Sequence, residues 1–74
     1  MEFNIIKHMG TISKRTDIKG VEWSKEVNLV SWNRRPPKVD IREWNSDHSR
    51  MGKGVTMTEA EAEIVGAILT KEKE

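Results

Sequence analysis

The pattern of apolar and polar positions divides the chain into four extended segments and one helix. Residues 3–13 (FNIIKHMGTIS) are rich in β-formers, with Phe3, Ile5 and Met9 on one register and Ile6 and Ile12 on the other. They predict a strand with its kink at Gly10, because an isolated glycine inside a strand marks a bulge or a close backbone approach. Residues 14–21 (KRTDIKGV) mix charge with Asp17 and Gly20 and predict a hairpin loop. Residues 22–33 form a second strand, with Trp23 and Trp32 near its ends and Val27, Leu29 and Val30 between them. Strict alternation fails at Asn28-Leu29-Val30, which predicts a bulge there and leaves open which face each tryptophan takes.

Arg34-Arg35-Pro36-Pro37 ends that strand, since neither proline can donate to a sheet ladder. Lys38 to Trp44 is a third strand, antiparallel to the second. Its Val39 and Ile41 point to a core, and its Lys38, Asp40, Arg42 and Trp44 share the other register as a face without apolar cover. After the polar turn Asn45 to Ser49 and the glycines Gly52 and Gly54, Val55-Thr56-Met57 is a short fourth strand. Thr58-Glu59-Ala60-Glu61 fits a capping box, Met57 and Ala62 are placed for a hydrophobic staple, and the early glutamates suit the positive end of the helix dipole. Ile64, Val65, Ile68 and Leu69 then fall on one helical stripe, flanked by Ala60 and Ala67, to be used as core or as a dimer interface.

Length sharpens that last point. A chain of 74 residues buries a small share of its surface and reads as one domain, residues 1–74. It has no cysteine and no dense cluster of metal ligands, so assembly with a second copy is the remaining means of support, and a homodimer is expected. The absence of cysteine suits a reducing compartment. The start lacks the pattern of a secretory signal and no long apolar run occurs, which predicts a soluble cytoplasmic chain without membrane contact.

Charge changes the picture more than its sum of +1 suggests. Residues 1–57 carry 11 basic against 7 acidic side chains, and residues 58–74 carry 2 against 5. The body is basic and the tail acidic, the asymmetry expected of a protein that meets an anionic partner. Catalysis finds no support: Asp47, His48 and Ser49 are neighbours in a polar loop, with no scaffold to hold a nucleophile and a base in fixed geometry. The Gly52-Lys53-Gly54 segment lacks the spacing of a nucleotide-binding loop, and His8 has no second ligand nearby. Neither a cofactor, a metal, nor a small-molecule substrate is expected.

The third strand's cations and ring suit single-stranded nucleic acid, where Lys and Arg track phosphates and an aromatic face takes a base. The candidate contacts are Arg42, Trp44 and Lys53, with Lys38, Trp32, Arg34, Arg35 and Lys25 around them.

The run Val30-Ser31, then Val39-Asp40-Ile41-Arg42-Glu43-Trp44, then Gly52-Lys53-Gly54-Val55-Thr56-Met57 and the helix, resembles the C-terminal domain of the coactivator family called positive cofactor four, and its small bacterial members in particular. The resemblance spans about residues 22–70. It implies an α+β fold, a four-stranded curved antiparallel sheet followed by one C-terminal helix. It further implies a homodimer, with helices and fourth strands at the interface, that binds single-stranded DNA without sequence preference in transcription, replication or repair. Arg42, Trp44 and Lys53 match the family's contact positions, and Trp32 is carried with them. Where eukaryotic members have an aromatic-glycine-lysine hairpin tip, this chain has Arg35-Pro36-Pro37, and their serine-rich regulatory tail has no counterpart, so coactivator activity does not carry over. In a bacterial cell the implied location is the nucleoid. RNA in place of DNA is left open by the sequence, since that choice rests on contacts to the 2′-hydroxyl. The competing reading is a protein–protein interaction module without nucleic-acid binding.

Overall fold

The computed structural model describes residues 2–73. Four strands, β1 (Phe3–Thr16), β2 (Glu22–Trp32), β3 (Lys38–Asn45) and β4 (Met51–Met57), precede one helix, α1 (Glu59–Glu72). The strands form one antiparallel sheet, as the family resemblance implies, in the order β1-β2-β3-β4.

β1 is longer than expected. Lys14, Arg15 and Thr16 pair with Ser24, Trp23 and Glu22, which shortens the loop to the residues around Asp17. Asp17 organises that loop: its carboxylate accepts from the backbone N–H groups of Lys19 and Val21 and from Trp23 Nε1, each at 2.9 Å. The Trp23 indole and the Val21 amide hold this carboxyl below its ordinary range, and Gly20 closes the turn at a φ of 84°.

The expected bulge in β2 is absent, and β2 pairs with β3 without a register shift from Trp23↔Asn45 to Val30↔Lys38. The irregularity lies in β1, whose register against β2 shifts between Ile5 and Lys7, between His8 and Gly10, and between Thr11 and Ser13. Ile6, Met9 and Ile12 are the residues left over, and the middle shift sits beside Gly10, where the sequence places its kink. A bulge re-aims the side chains beyond it. Met9 accordingly leaves the register of Phe3 and Ile5 and joins Lys7, Leu29 and Val39 on the opposite side of the sheet.

The sheet curves strongly. Phe3 pairs with Trp32 and Trp44 with Ser24, at opposite ends of β2, yet the rings of Phe3 and Trp44 lie only 5.1 Å apart. A strand advances about 3.3 Å per residue, so a flat sheet would hold these rings far apart. The face bearing Phe3, Trp32, Asp40, Arg42 and Trp44 is therefore the inner face of the curve.

This face corrects the reading of β3. The register of Lys38, Asp40, Arg42 and Trp44 is as expected, but it is not an uncovered surface: Trp44 and Asp40 are fully buried. Trp44 packs against Phe3 on one side and the His48 ring on the other, at 5.4 Å. Val30, Asn28 and Glu26 are buried with it. Val39 and Ile41, expected to face a core, point to the outer face; Val39 is buried there beside Ala62 of α1, while Ile41 is half-buried.

The helix begins where the capping box predicts. Thr58 Oγ1 accepts from the Glu61 backbone N–H at 3.1 Å, and the Glu61 carboxylate accepts from the Thr58 N–H at 2.8 Å. None of its described residues is buried: Ile64, Ile68 and Leu69 are 60%, 56% and 61% exposed, and Val65 is 38% exposed. Among the described residues no helix is long and apolar enough to cross a membrane.

Candidate nucleic-acid interface

Arg42 is the centre of the inner face. Its guanidinium donates through Nε and Nη2 to the two carboxylate oxygens of Asp40, at 2.7 and 2.8 Å. Asp40 also accepts from the Thr56 hydroxyl at 2.8 Å, so a fully buried carboxylate is closed by a fork of Arg42 and by a neighbour on β4. Bidentate pairing of this kind combines charge with fixed geometry, which holds the Arg42 plane in place. Gly54 is the register partner of Arg42, and a Cβ there would collide with Arg42 Cβ and the Ile41 carbonyl. The glycine lets β4 pass close beneath the arginine.

The guanidinium so fixed lies over the Trp32 ring, 4.7 Å from its centroid. Trp32 and Arg42, with Asn33 and Thr56, line a cleft at the end of β2. Next to it the hairpin between β2 and β3 turns at Asn33 and Arg34, with φ of 50° and 63°, while Arg35 N–H donates to the Trp32 carbonyl at 2.9 Å. Two successive positive φ values are the pattern of a type I′ turn, normally served by Asn and Gly. Arg34 occupies the glycine-like position despite its side chain, with Nε donating to Glu2 at 3.1 Å and four-fifths of its side chain exposed. Arg35 and Lys38 are also exposed, and Lys38 carries the register of the inner face at the start of β3.

The structure thus brings together Arg42, Trp32, Arg34, Arg35 and Lys38. Three other predicted contacts stand apart. Trp44 is buried beneath Phe3 and His48 and presents no ring face to a base; its Nε1 has no hydrogen-bond partner. Lys25 pairs in register with Glu43 on the outer face, where Arg15 grips Glu43 through two hydrogen bonds of 2.8 and 2.9 Å. That Arg15 contact holds the Glu43 carboxyl below its ordinary range. Lys53 is exposed on β4 at the register shift opposite Arg42 and Trp44.

Sequence reasoning missed a second polar group on the inner face. Glu26, 5% exposed, accepts from His48 Nε2 at 2.9 Å and from Asn28 Nδ2 at 3.1 Å, and His8 Nδ1 donates to Asn28 Oδ1 at 2.7 Å. Burial works against ionisation of Glu26, but the hydrogen bonds from His48, Asn28 and Ser24 outweigh it and hold the carboxyl below its ordinary range. The signal available was the even spacing of Glu26 and Asn28 in β2, which puts two polar residues on one face beside Val30. Among the described residues no group of three potential ligands is placed to hold a metal ion. The loop residues Asp47 and Ser49 bond to each other, at 2.6 Å, while His48 turns away to Glu26.

Residues 19–68, from the loop before β2 to the middle of α1, match the family model described as Transcriptional Coactivator p15 (PC4). An uncharacterized protein of Treponema pallidum (strain Nichols) is 48% identical over 59 residues, a stretch covering 80% of this chain and 65% of that protein. This chain therefore spans just under two thirds of that relative's length. The matched region contains β2, β3, β4, the Arg42–Asp40 pair, the Trp32 cleft and the basic hairpin tip, and the chain belongs to the Transcriptional Coactivator p15 (PC4) family.

Proposed function

We propose that this protein binds single-stranded DNA without sequence preference, as a homodimer and without catalysis. The observation that carries the reading is the Arg42 guanidinium laid over the Trp32 ring at 4.7 Å, in a cleft that opens beside the exposed cations Arg34, Arg35 and Lys38. A base stacks at the Trp32 end, and the tip arginines track the phosphates. Trp44, buried, serves as the floor of the inner face and not as a stacking platform. Lys53 adds a phosphate contact from β4.

The dimer rests on the helix. Among the described residues a single chain buries only Val30, Val39 and Trp44 as apolar core, and it leaves Ile64, Val65, Ile68 and Leu69 exposed on one stripe of α1. A contiguous apolar patch of this kind marks an interaction surface, and the short chain gains from covering it with a second copy.

The test is a fluorescence-anisotropy titration of labelled oligo-dT and its duplex at two salt concentrations. Binding preferential to the single strand, with log affinity falling by about 0.7 per neutralised phosphate per decade of salt, is the expected result. Equal affinity for the duplex, or no binding at low salt, overturns it; the latter with a protein retained in pull-down favours the interaction-module reading.

A further inference from the structure

The two carboxylates buried on the inner face are compensated in different ways. Asp40 is matched by the permanent charge of Arg42. Glu26 has no Lys or Arg ion-pair partner among the described residues, and its charged neighbours within 4 Å are His48 at 2.9 Å and His8 at 3.6 Å. These are the only 2 histidines of the chain, and they come from positions forty residues apart to meet one carboxylate. His8 belongs to β1, which lies outside the family match at residues 19–68.

The hydrogen bonds fix where protons add. Asn28 Oδ1 and Glu26 Oε1 can only accept, so His8 carries a proton on Nδ1 and His48 on Nε2. A second proton on His8 goes to Nε2, which faces the Thr11 hydroxyl at 3.3 Å, a group able to donate or accept. On His48 it goes to Nδ1. His8 and His48 side chains are 51% and 36% exposed, so both exchange protons with water. The other ionisable groups near Glu26 are Lys14 and Glu22, which line the adjoining cleft, and the already paired Arg42 and Asp40. Imidazole is the side chain that ordinarily changes charge between about pH 5.5 and pH 8.

We propose that His8, His48 and Glu26 form a proton-operated charge switch on the inner face, by which single-strand binding tightens as pH falls. This deepens the single-stranded DNA reading and rests on it. With both imidazoles neutral the cluster carries the single negative charge of Glu26; with both protonated it carries a net positive charge. Each step toward positive charge favours a bound polyanion and, by linkage, the polyanion favours protonation.

The experiment measures the salt dependence of oligo-dT binding by the full chain at about pH 8 and about pH 5.5. The wild type is expected to bind more tightly at the lower pH, with a log–log salt slope steeper by about 0.7 for each additional phosphate neutralised. The double variant His8→Gln/His48→Gln is expected to show the same slope at both pH values, its fold checked by tryptophan emission. A second variant covers the case in which that fold fails: Glu26→Gln removes the negative charge and is expected to bind more tightly than wild type at pH 8. A wild-type slope unchanged with pH, a double variant that steepens as the wild type does, or a Glu26→Gln variant no tighter than wild type at pH 8 overturns the switch and leaves single-strand binding standing. Absence of binding at both pH values overturns the binding reading itself.

Discussion

The two faces of the sheet solve opposite problems. On the inner face nearly every polar side chain finds a partner within the chain: Asp40 with Arg42 and Thr56, Glu26 with His48 and Asn28, Asn28 with His8. The aromatic rings of Phe3, Trp32 and Trp44 close over one another there. On the outer side Val39 is covered, but the apolar stripe of α1 faces away with no buried residue. The carboxylates of one face are paired within a single chain, and on the other the chain leaves Ile64, Val65, Ile68 and Leu69 exposed. A buried charge needs a partner at hydrogen-bond distance and in good geometry, whereas covering apolar area sets no directional requirement.

The largest expected effect breaks the inner face. Asp40→Ala strands Arg42 without its carboxylate and removes an acceptor from Thr56; loss of one member of such a buried pair costs about 3–5 kcal/mol, read as a lower urea midpoint. An unchanged midpoint would mean that the face does not depend on this pair. On the outer face, Ile68→Glu with Leu69→Glu places charges in the apolar seam. About 3 kcal/mol or more of lost association is expected, over a hundredfold in the dimer dissociation constant, read by sedimentation velocity as conversion to monomer. A species that sediments identically before and after the change would deny the seam its role.

Gly54→Ala is the next in size. The new methyl meets the Arg42 side chain and the Ile41 carbonyl, and overpacking of this kind costs about 1–3 kcal/mol in thermal stability. Arg34→Gly separates backbone from charge at the tip. Relief of the left-handed conformation is worth about 1 kcal/mol of stability, while loss of one phosphate contact lowers the salt slope of DNA binding by about 0.7. The smallest effect concerns acid. Glu26 has its folded carboxyl held below the ordinary range, so its contribution to stability is present above that range and is lost as pH falls through the folded value. Glu26→Gln should therefore flatten the acid limb of a stability-against-pH curve.

Legibility in the sequence followed the range of the interactions. The capping box at Thr58 and Glu61 is local, needing a spacing of three residues, and the helix starts where that spacing places it. The alternation of β3 is equally local, and its register is as written in Lys38, Asp40, Arg42 and Trp44. The hairpin tip was readable from its prolines. The bulges of β1 were not, beyond the hint of Gly10, because a bulge is a mismatch in length between two paired strands and neither strand records it alone. Trp44 shows the same limit. Alternation assigned it to a face, but whether that face is wet depended on Phe3, which the chain's curvature carries across from the far edge of the sheet.

The sequence by itself therefore determined the five elements, their order, the helix start, the basic and aromatic character of the second and third strands, and the family. It did so because these rest on periodicity, caps and turn residues read within a few positions. Only the tertiary structure decided that Trp32 rather than Trp44 lies under an arginine, that Lys25 falls on the outer face, and that His8 and His48 share Glu26. Each of these turns on which residues a curved, bulged sheet brings opposite one another, a relation between distant segments that local pattern does not contain.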